Sequence, residues 1–349
     1  MTAIGAVQLE RSHGYCKVCR QPQFAADGLL GLSGWLTPRA RAMAERAGLH
    51  DPFRQAQLLL QELAGWSLDA ETIRRYCHED AACARRQRGQ RQTLPEQFAS
   101  AKGDQELHLD AGKVNTPDGW RDVKVAVFAC RERGAPATAA DYEQRDLPAP
   151  SVRSVIAEVE EAQAFGQRCA TEAERLGVSA DGLSVLGDGA EWIWNLADLR
   201  FASAAQLLDV YHGCEQLGKV GRAALGEAGM AQWLEGARGK LIGDGYCGVC
   251  EVIAGLTAEE EMCRRLGPTA AEVLNYFSGQ QDRLGYAARL RRGQAIGSGL
   301  VEGTIKQRVN IRMKRSGARW RPEHAGPFVE LLALADGPEW SEFWACMAA

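Results

Sequence analysis

Near residue 105 the hydrophobic pattern of this 349-residue chain changes period, and that change constrains the fold more than any other feature. Upstream, apolar residues recur at helical spacing: Phe53, Ala56, Leu60 and Leu63 stand 3, 4 and 3 residues apart. Downstream, Glu106-Leu-His-Leu-Asp110 alternates, Thr116-Pro-Asp-Gly119 carries turn chemistry, and Val123, Val125 and Val127 alternate again. Two alternating runs around such a turn predict a β-hairpin. A loop rich in proline and charge follows over 131–150, then a third strand over Ser154–Glu158 and a helix over Glu160–Leu176 closed by Gly177. Leu183–Leu186 reads as a short strand running into Gly187-Asp188-Gly189. From 190 to about 280 the pattern is mostly helical with glycine breaks, and final helices are expected over about 300–315 and 323–336. Strands and helices in this order predict a mixed α+β or α/β sheet with flanking helices.

The helical region before the hairpin carries its own punctuation. Thr37-Pro38 and Asp51-Pro52 each place a capping residue before proline, Gly65 closes a helix, and Asp69 can cap the next. That next helix carries Arg74 and Arg75 and leads to Arg85, Arg86, Arg88 and Arg91. Helix, glycine-containing turn and basic helix suggest a helix-turn-helix, although most helical hairpins bind no DNA. Residues 93–104 read as a linker, and residues 1–36 as an irregular segment or partial zinc ribbon. There Cys16-Lys-Val-Cys19 supplies half of a tetrahedral Zn²⁺ site, with His13 as a third candidate ligand and free thiols as the alternative. The expected division is therefore 1–36, a helical DNA-binding region over 37–92, the linker, a core over 105–200, a helical insertion over 201–280, and core helices over 281–349.

Charge and cysteine usage narrow the class. Eleven cysteines, an odd number in a chain without a basic-then-apolar start, read as reduced thiols in a cytoplasm rather than a disulfide framework. The apolar stretches are too short for a transmembrane helix, which needs ~20 residues. The net charge of −4 conceals a basic segment: Arg283 to Arg321 holds eleven Lys and Arg and one acid, Glu302. Such concentration points to a polyanion, because phosphate contact is decided locally; a solvated helix face is the plainer account of any single run.

Three acids sit at informative places. Asp110 ends the first alternating run, Asp188 follows the short strand, and Glu302 lies at the head of the basic helix. Carboxylates converging from separate elements can hold two divalent cations ~3.5–4 Å apart for phosphoryl transfer. Each also has a plain reading: a turn for Asp110, a turn for Asp188, a first-turn helix acid for Glu302. A capping box from Ser298 would want its acid at 301, where valine stands.

The motifs L-G-D-G-A-E-W-I-W-N (186–195), L-L-D-V-Y-H (207–212), I-G-S-G-L-V-E-G (296–303) and M-K-R-S-G-A-R-W (313–320) resemble those of the ISKra-type bacterial insertion-sequence transposases, DDE enzymes related to the Mutator-like group. The resemblance spans roughly residues 30 to 345. It implies an RNase H-like core with a helical insertion, and Asp110, Asp188 and Glu302 as catalytic ligands of two Mg²⁺ ions, with Mn²⁺ able to substitute. It further implies auxiliary active-site roles for Asp209 and His212. The family's zinc ribbon has two cysteine pairs; here only Cys16 and Cys19 stand at that position, and Cys247/Cys250 matches no family motif. The expected activity is cleavage and strand transfer on double-stranded DNA, at terminal inverted repeats and target, by a homodimer or larger assembly in a bacterial cytoplasm. Arg74, Arg75, Lys306, Arg308, Arg312, Lys314, Arg315 and Arg319 are the expected DNA contacts. A nuclease on the same fold, and a degenerate transposase that only binds DNA, are the alternatives.

Overall fold

Two long strands dominate the computed structural model, which describes residues 1–10, 12–20, 22–24, 27, 32 and 36–348. A short hairpin, β1 (His13–Tyr15) and β2 (Pro22–Phe24), comes first. Three helices follow: α1 (Pro38–His50), α2 (Phe53–Ala64) and α3 (Ala70–Arg86). Thr37 caps α1 by accepting from the Ala40 N–H, and Asp69 caps α3 by accepting from the Thr72 N–H. Gly65 ends α2 at φ 64°, a conformation that favours glycine. Asp51 does not cap α2, whose helix starts one residue later than the sequence suggests, behind Pro52. Leu63, expected on the buried face of α2, is 77% exposed.

The expected linker is instead helical over α4 (Thr93–Ser100). Leu94 and Phe98, four apart, are buried on one face. The Glu342 carboxylate accepts from the Gln92 N–H at 2.8 Å and the Thr93 hydroxyl at 2.6 Å, so a partner 249 residues downstream caps the helix.

The hairpin is β3 (Asp104–Thr116) and β4 (Gly119–Arg131), paired antiparallel along their full length. Strand β5 (Val152–Glu158) adds antiparallel to the outer edge of β4. Helix α5 (Ala162–Leu176) then crosses to β6 (Leu183–Gly187), which lies parallel to β3 on its other edge. After α6 (Glu191–Arg200), β7 (Ala205–Leu208) pairs parallel to β6 and completes the order β5-β4-β3-β6-β7. Sequence reading missed β7; four residues are too few to establish an alternation.

Three helices follow β7: α7 (Val210–Asp244), kinked at Gly226, α8 (Tyr246–Leu256) and α9 (Glu260–Ser278). They agree with the mostly helical stretch expected there. Next come α10 (Tyr286–Arg291), α11 (Gly299–Thr304) continuing as a π-helical segment over Ile305–Ile311, α12 (Pro322–Ala335) and α13 (Trp340–Ala348). No helix among the described residues is long and apolar enough to cross a membrane.

Strand alternation distributes two cores. Ala126, Phe128 and Ile156 face the layer of α4–α7. Val123, Val125, Val127 and Val155 face α1–α3 and α11–α13. The region 37–92 therefore shares a core with the sheet and the C-terminal helices. Its arginine cluster is structural. Arg88 binds Glu172 at 2.9 Å and Glu330 at 3.2 Å, Arg91 binds Glu339 at 2.9 Å, and Arg85 binds Glu158 and Glu330. Arg175 closes the network onto Glu172 and Glu339. Removing one partner from such a buried set costs roughly 3–5 kcal/mol, because the other is left uncompensated.

Candidate active site

The parallel pairing of β3 with β6 ends at Leu109 opposite Gly187, so the next residues, Asp110 and Asp188, leave adjacent strands side by side. Asp110 is not a strand end as expected: β3 continues to Thr116 because β4 still pairs with it. What ends at Asp110 is only the parallel ladder. Asp110 Oδ1 accepts from the Ala111 N–H at 2.6 Å. Burial raises the Asp110 carboxyl to about 6; Asp188 and Glu302 push the same way, while the Ala111 N–H and His212 oppose.

Asp188 sits in the predicted turn, and its Oδ1 accepts from the Ala190 N–H at 2.9 Å. Gly189 follows at φ 94°, and a Cβ there would stand 2.3 Å from the Tyr276 hydroxyl oxygen. That hydroxyl donates to the Asp188 carbonyl at 3.2 Å, so α9 pins the loop carrying Asp188. Tyr276 gave no sequence signal of this role.

Asp209 joins three elements. It ends β7, its N–H donates to the Gly187 carbonyl at 2.7 Å, and it caps α7 by accepting from the His212 N–H at 2.9 Å. Its second oxygen accepts from the Ser298 N–H. Burial opposes ionisation of this wholly enclosed carboxyl, yet the His212 and Ser298 hydrogen bonds hold it below its ordinary value. The Asp209 carboxylate also raises the His212 imidazole to about 9, against burial and with help from Asp188. The Nδ1–Oδ1 separation of 3.8 Å makes this an ion pair rather than a hydrogen bond.

Glu302 arrives from above the sheet. A Cβ on Gly112 would stand 3.0 Å from both Ile305 Cγ2 and Val309 Cγ1, so the glycine allows the α11 segment to lie directly on β3. The Ser298 hydroxyl donates to Glu302 Oε1 at 2.8 Å. This i, i+4 bond to a side chain takes the place of the capping box that misses by one residue. Ligand atoms of Asp209, His212 and Glu302 all lie within 4.8 Å of one another.

Hard carboxylate oxygens suit Mg²⁺. Asp110, Asp188 and Glu302 offer such oxygens, and Asp188 and Glu302 both act on the Asp110 charge, but among the described residues the group whose ligand atoms gather within 4.8 Å is Asp209, His212 and Glu302. Asp209 fits less well, because both its oxygens already accept backbone N–H groups. Its place is to position His212 and, through Ser298, Glu302.

The expected DNA contacts divide. Lys306, Lys314, Arg315 and Arg319 are exposed, as is Arg75; Arg74 is half-buried and bonded to Glu71 at 2.8 Å. Arg308 is a correction: it is 5% exposed and pairs with Asp336 at 3.3 Å, and Arg312 is buried to the same extent. Arg312 donates to the Leu49 and Gly48 carbonyls at 2.7 Å each and lies over Phe53, Trp320 and Phe328. Counting charge along the chain cannot detect aromatic and carbonyl partners this distant.

Cys16 and Cys19 flank the turn between β1 and β2, with the Cys19 N–H donating to Cys16 Sγ at 3.5 Å. Among the described residues no third ligand completes a metal group with them. No family model matches this chain, and no curated protein matches it.

Proposed function

We propose that this chain is a DDE-type DNA transposase with an RNase H-like core, cleaving DNA at transposon ends and joining the freed 3′-hydroxyl to target DNA. One observation carries the reading: Asp110 and Asp188 stand side by side where the parallel ladder of adjacent strands ends, and Glu302, on a helix laid against the sheet, is near enough to act on the charge of Asp110. Three antiparallel strands followed by two parallel ones, in the order β5-β4-β3-β6-β7, support the fold assignment. The motifs quoted above fall on these elements, which supports the family resemblance. The α2–turn–α3 unit is the helix-turn-helix candidate in this reading, reduced by the commitment of Arg85, Arg88 and Arg91 to internal carboxylates.

Asp110, Asp188 and Glu302 would hold the divalent ions, which supply charge neutralisation at the phosphate and activation of the attacking oxygen. The protein's own groups set the geometry. Asp209 fixes the α7 start and the Ser298 loop, Ser298 orients Glu302, and the His212 imidazolium balances carboxylate charge. Lys306, one turn beyond Glu302 and exposed, is placed to meet a phosphate near the cut.

The test is cleavage of DNA bearing the element's ends in Mg²⁺ or Mn²⁺, followed by a strand-transfer assay. Asp110→Asn, Asp188→Asn and Glu302→Gln are each expected to abolish product while DNA binding persists. Product surviving any one of them removes that residue from the site; cleavage without joining makes the protein a nuclease; binding without cleavage by the wild type makes it a degenerate binder.

A further inference from the structure

Away from these acids, a cavity of about 510 Å³ lies where α2 and α3 meet the segment after the α11 helix. Its lining includes Arg74, Arg312, Arg315, Arg319 and Arg321, together with His78 and His324, and contains no Asp or Glu. Arg315, Arg319 and Arg321 are exposed, and no carboxylate of the described residues lies within ion-pair distance of them. Arg74 is already neutralised by Glu71, so the uncompensated charge belongs to the 312–321 segment.

Arg312 is the decisive group. It is a buried guanidinium without a carboxylate partner, held by two carbonyl oxygens through Nε and Nη2. Among the described residues Nη1 makes no hydrogen bond, although the residue lines the cavity. A buried cation whose Nη1 meets no acceptor among the described residues and stays open to solvent, at the wall of an acid-free pocket, suits an anion that would replace that solvent. Three aromatic rings packed around the guanidinium, with centroids 4.8 to 5.5 Å away, hold it in one orientation. Such fixed geometry suits a positioned anion more than diffuse screening.

We propose that this pocket seats a backbone phosphate of bound DNA, with Arg312 at its base and Arg315, Arg319 and Arg321 at its rim. The proposal rests on the DNA reading above and adds a location to it. Arg312 follows Glu302 by ten residues, seven of them in the shorter-rise π-helical segment Ile305–Ile311, so the α-helical rise of ~1.5 Å per residue gives an upper bound of roughly 15 Å on their axial separation. That span is about four steps of duplex at ~3.4 Å per step. The seat therefore fixes where the duplex runs relative to the acids, using elements from both ends of the chain.

The experiment is anisotropy of a fluorescent DNA duplex titrated with the full-length protein across a KCl series. Wild type is compared with Arg315→Ala/Arg319→Ala/Arg321→Ala, whose exposed positions spare the core, and with Asp188→Asn. Each lost phosphate contact lowers the slope of log K against log[salt] by about 0.9. The triple variant is expected to lose at least one such contact and to bind at least tenfold more weakly at low salt, with an unchanged Tm. Asp188→Asn is expected to keep the wild-type slope. An unchanged slope and affinity in the triple variant overturns the pocket while leaving the DNA reading intact. Wild-type protein that binds no DNA overturns both. Methylphosphonate substitution placed three to five phosphates from the cut should weaken wild type and leave the triple variant unaffected; equal effects on both also overturn the seat.

Discussion

Gly112→Ala tests how the fold delivers Glu302 to the two aspartates. The new methyl would stand 3.0 Å from Ile305 Cγ2 and Val309 Cγ1, 3.3 Å from Val309 Cβ. Carbon atoms pack comfortably at about 3.5–4.0 Å, so Ile305 and Val309 must give by a few tenths of an ångström. Overpacking of this kind costs about 1–3 kcal/mol of stability. A functional cost is expected beside the structural one, since even a ~1 Å misplacement of a reacting group can cost about 100-fold in rate. Chemical denaturation measures the first effect; Mn²⁺ binding by electron paramagnetic resonance and metal-dependent DNA cleavage measure the second. Val309→Ala in the same chain removes one of the two closest contacts, that of Cγ1, and should restore part of both. If Gly112→Ala kept wild-type stability and Mn²⁺ affinity, the glycine would not be what sets the height of Glu302 above β3, and the account of the site's assembly would fail.

Further outcomes follow from the same geometry. Burial would raise Glu172, but Arg88 and Arg175 overcome it and hold the carboxyl at about 2 against an ordinary 4.5. Its folded value is depressed, so its contribution is complete above pH 4.5 and is lost as pH falls toward 2. At ~1.4 kcal/mol per pH unit this is about 3 kcal/mol, and Glu172→Gln should flatten the urea-unfolding stability curve through that window. Asp209→Ala leaves the His212 and Ser298 N–H groups without their acceptor and should cost roughly 2–4 kcal/mol. By NMR the His212 imidazole should also fall from about 9 toward 6.5, an observation independent of folding yield. Ser298→Ala removes only the hydroxyl that orients Glu302 and should lower cleavage several-fold with an unchanged Tm; equal cleavage would free Glu302 from that dependence.

Local chemistry made much of the fold legible, and distant partners account for what was not. The hairpin, β5, α5 and β6 each carry their signal within a dozen or so residues, as do the caps Thr37 and Asp69 and the terminator Gly177. The three acids stood out because the sequence pattern changes beside each of them, although Asp110 lies within β3. Their relative placement was not legible, because it depends on where the parallel ladder stops and on a glycine that matters only when Ile305 and Val309 lie over it. The basic residues divide along the same line. Arg88 and Arg319 are alike on paper, yet Glu172, 84 residues away, neutralises the first while no acid of the described chain reaches the second. Charge density along a sequence reports potential contacts with a polyanion, and the fold then withdraws those cations it uses internally. Here it withdraws Arg85, Arg88, Arg91 and Arg308 onto carboxylates, and leaves the exposed arginines of 315–321 beside a buried one whose Nη1 makes no hydrogen bond among the described residues. That residue of uncompensated charge, rather than the total along the chain, is what the proposed DNA path is built on.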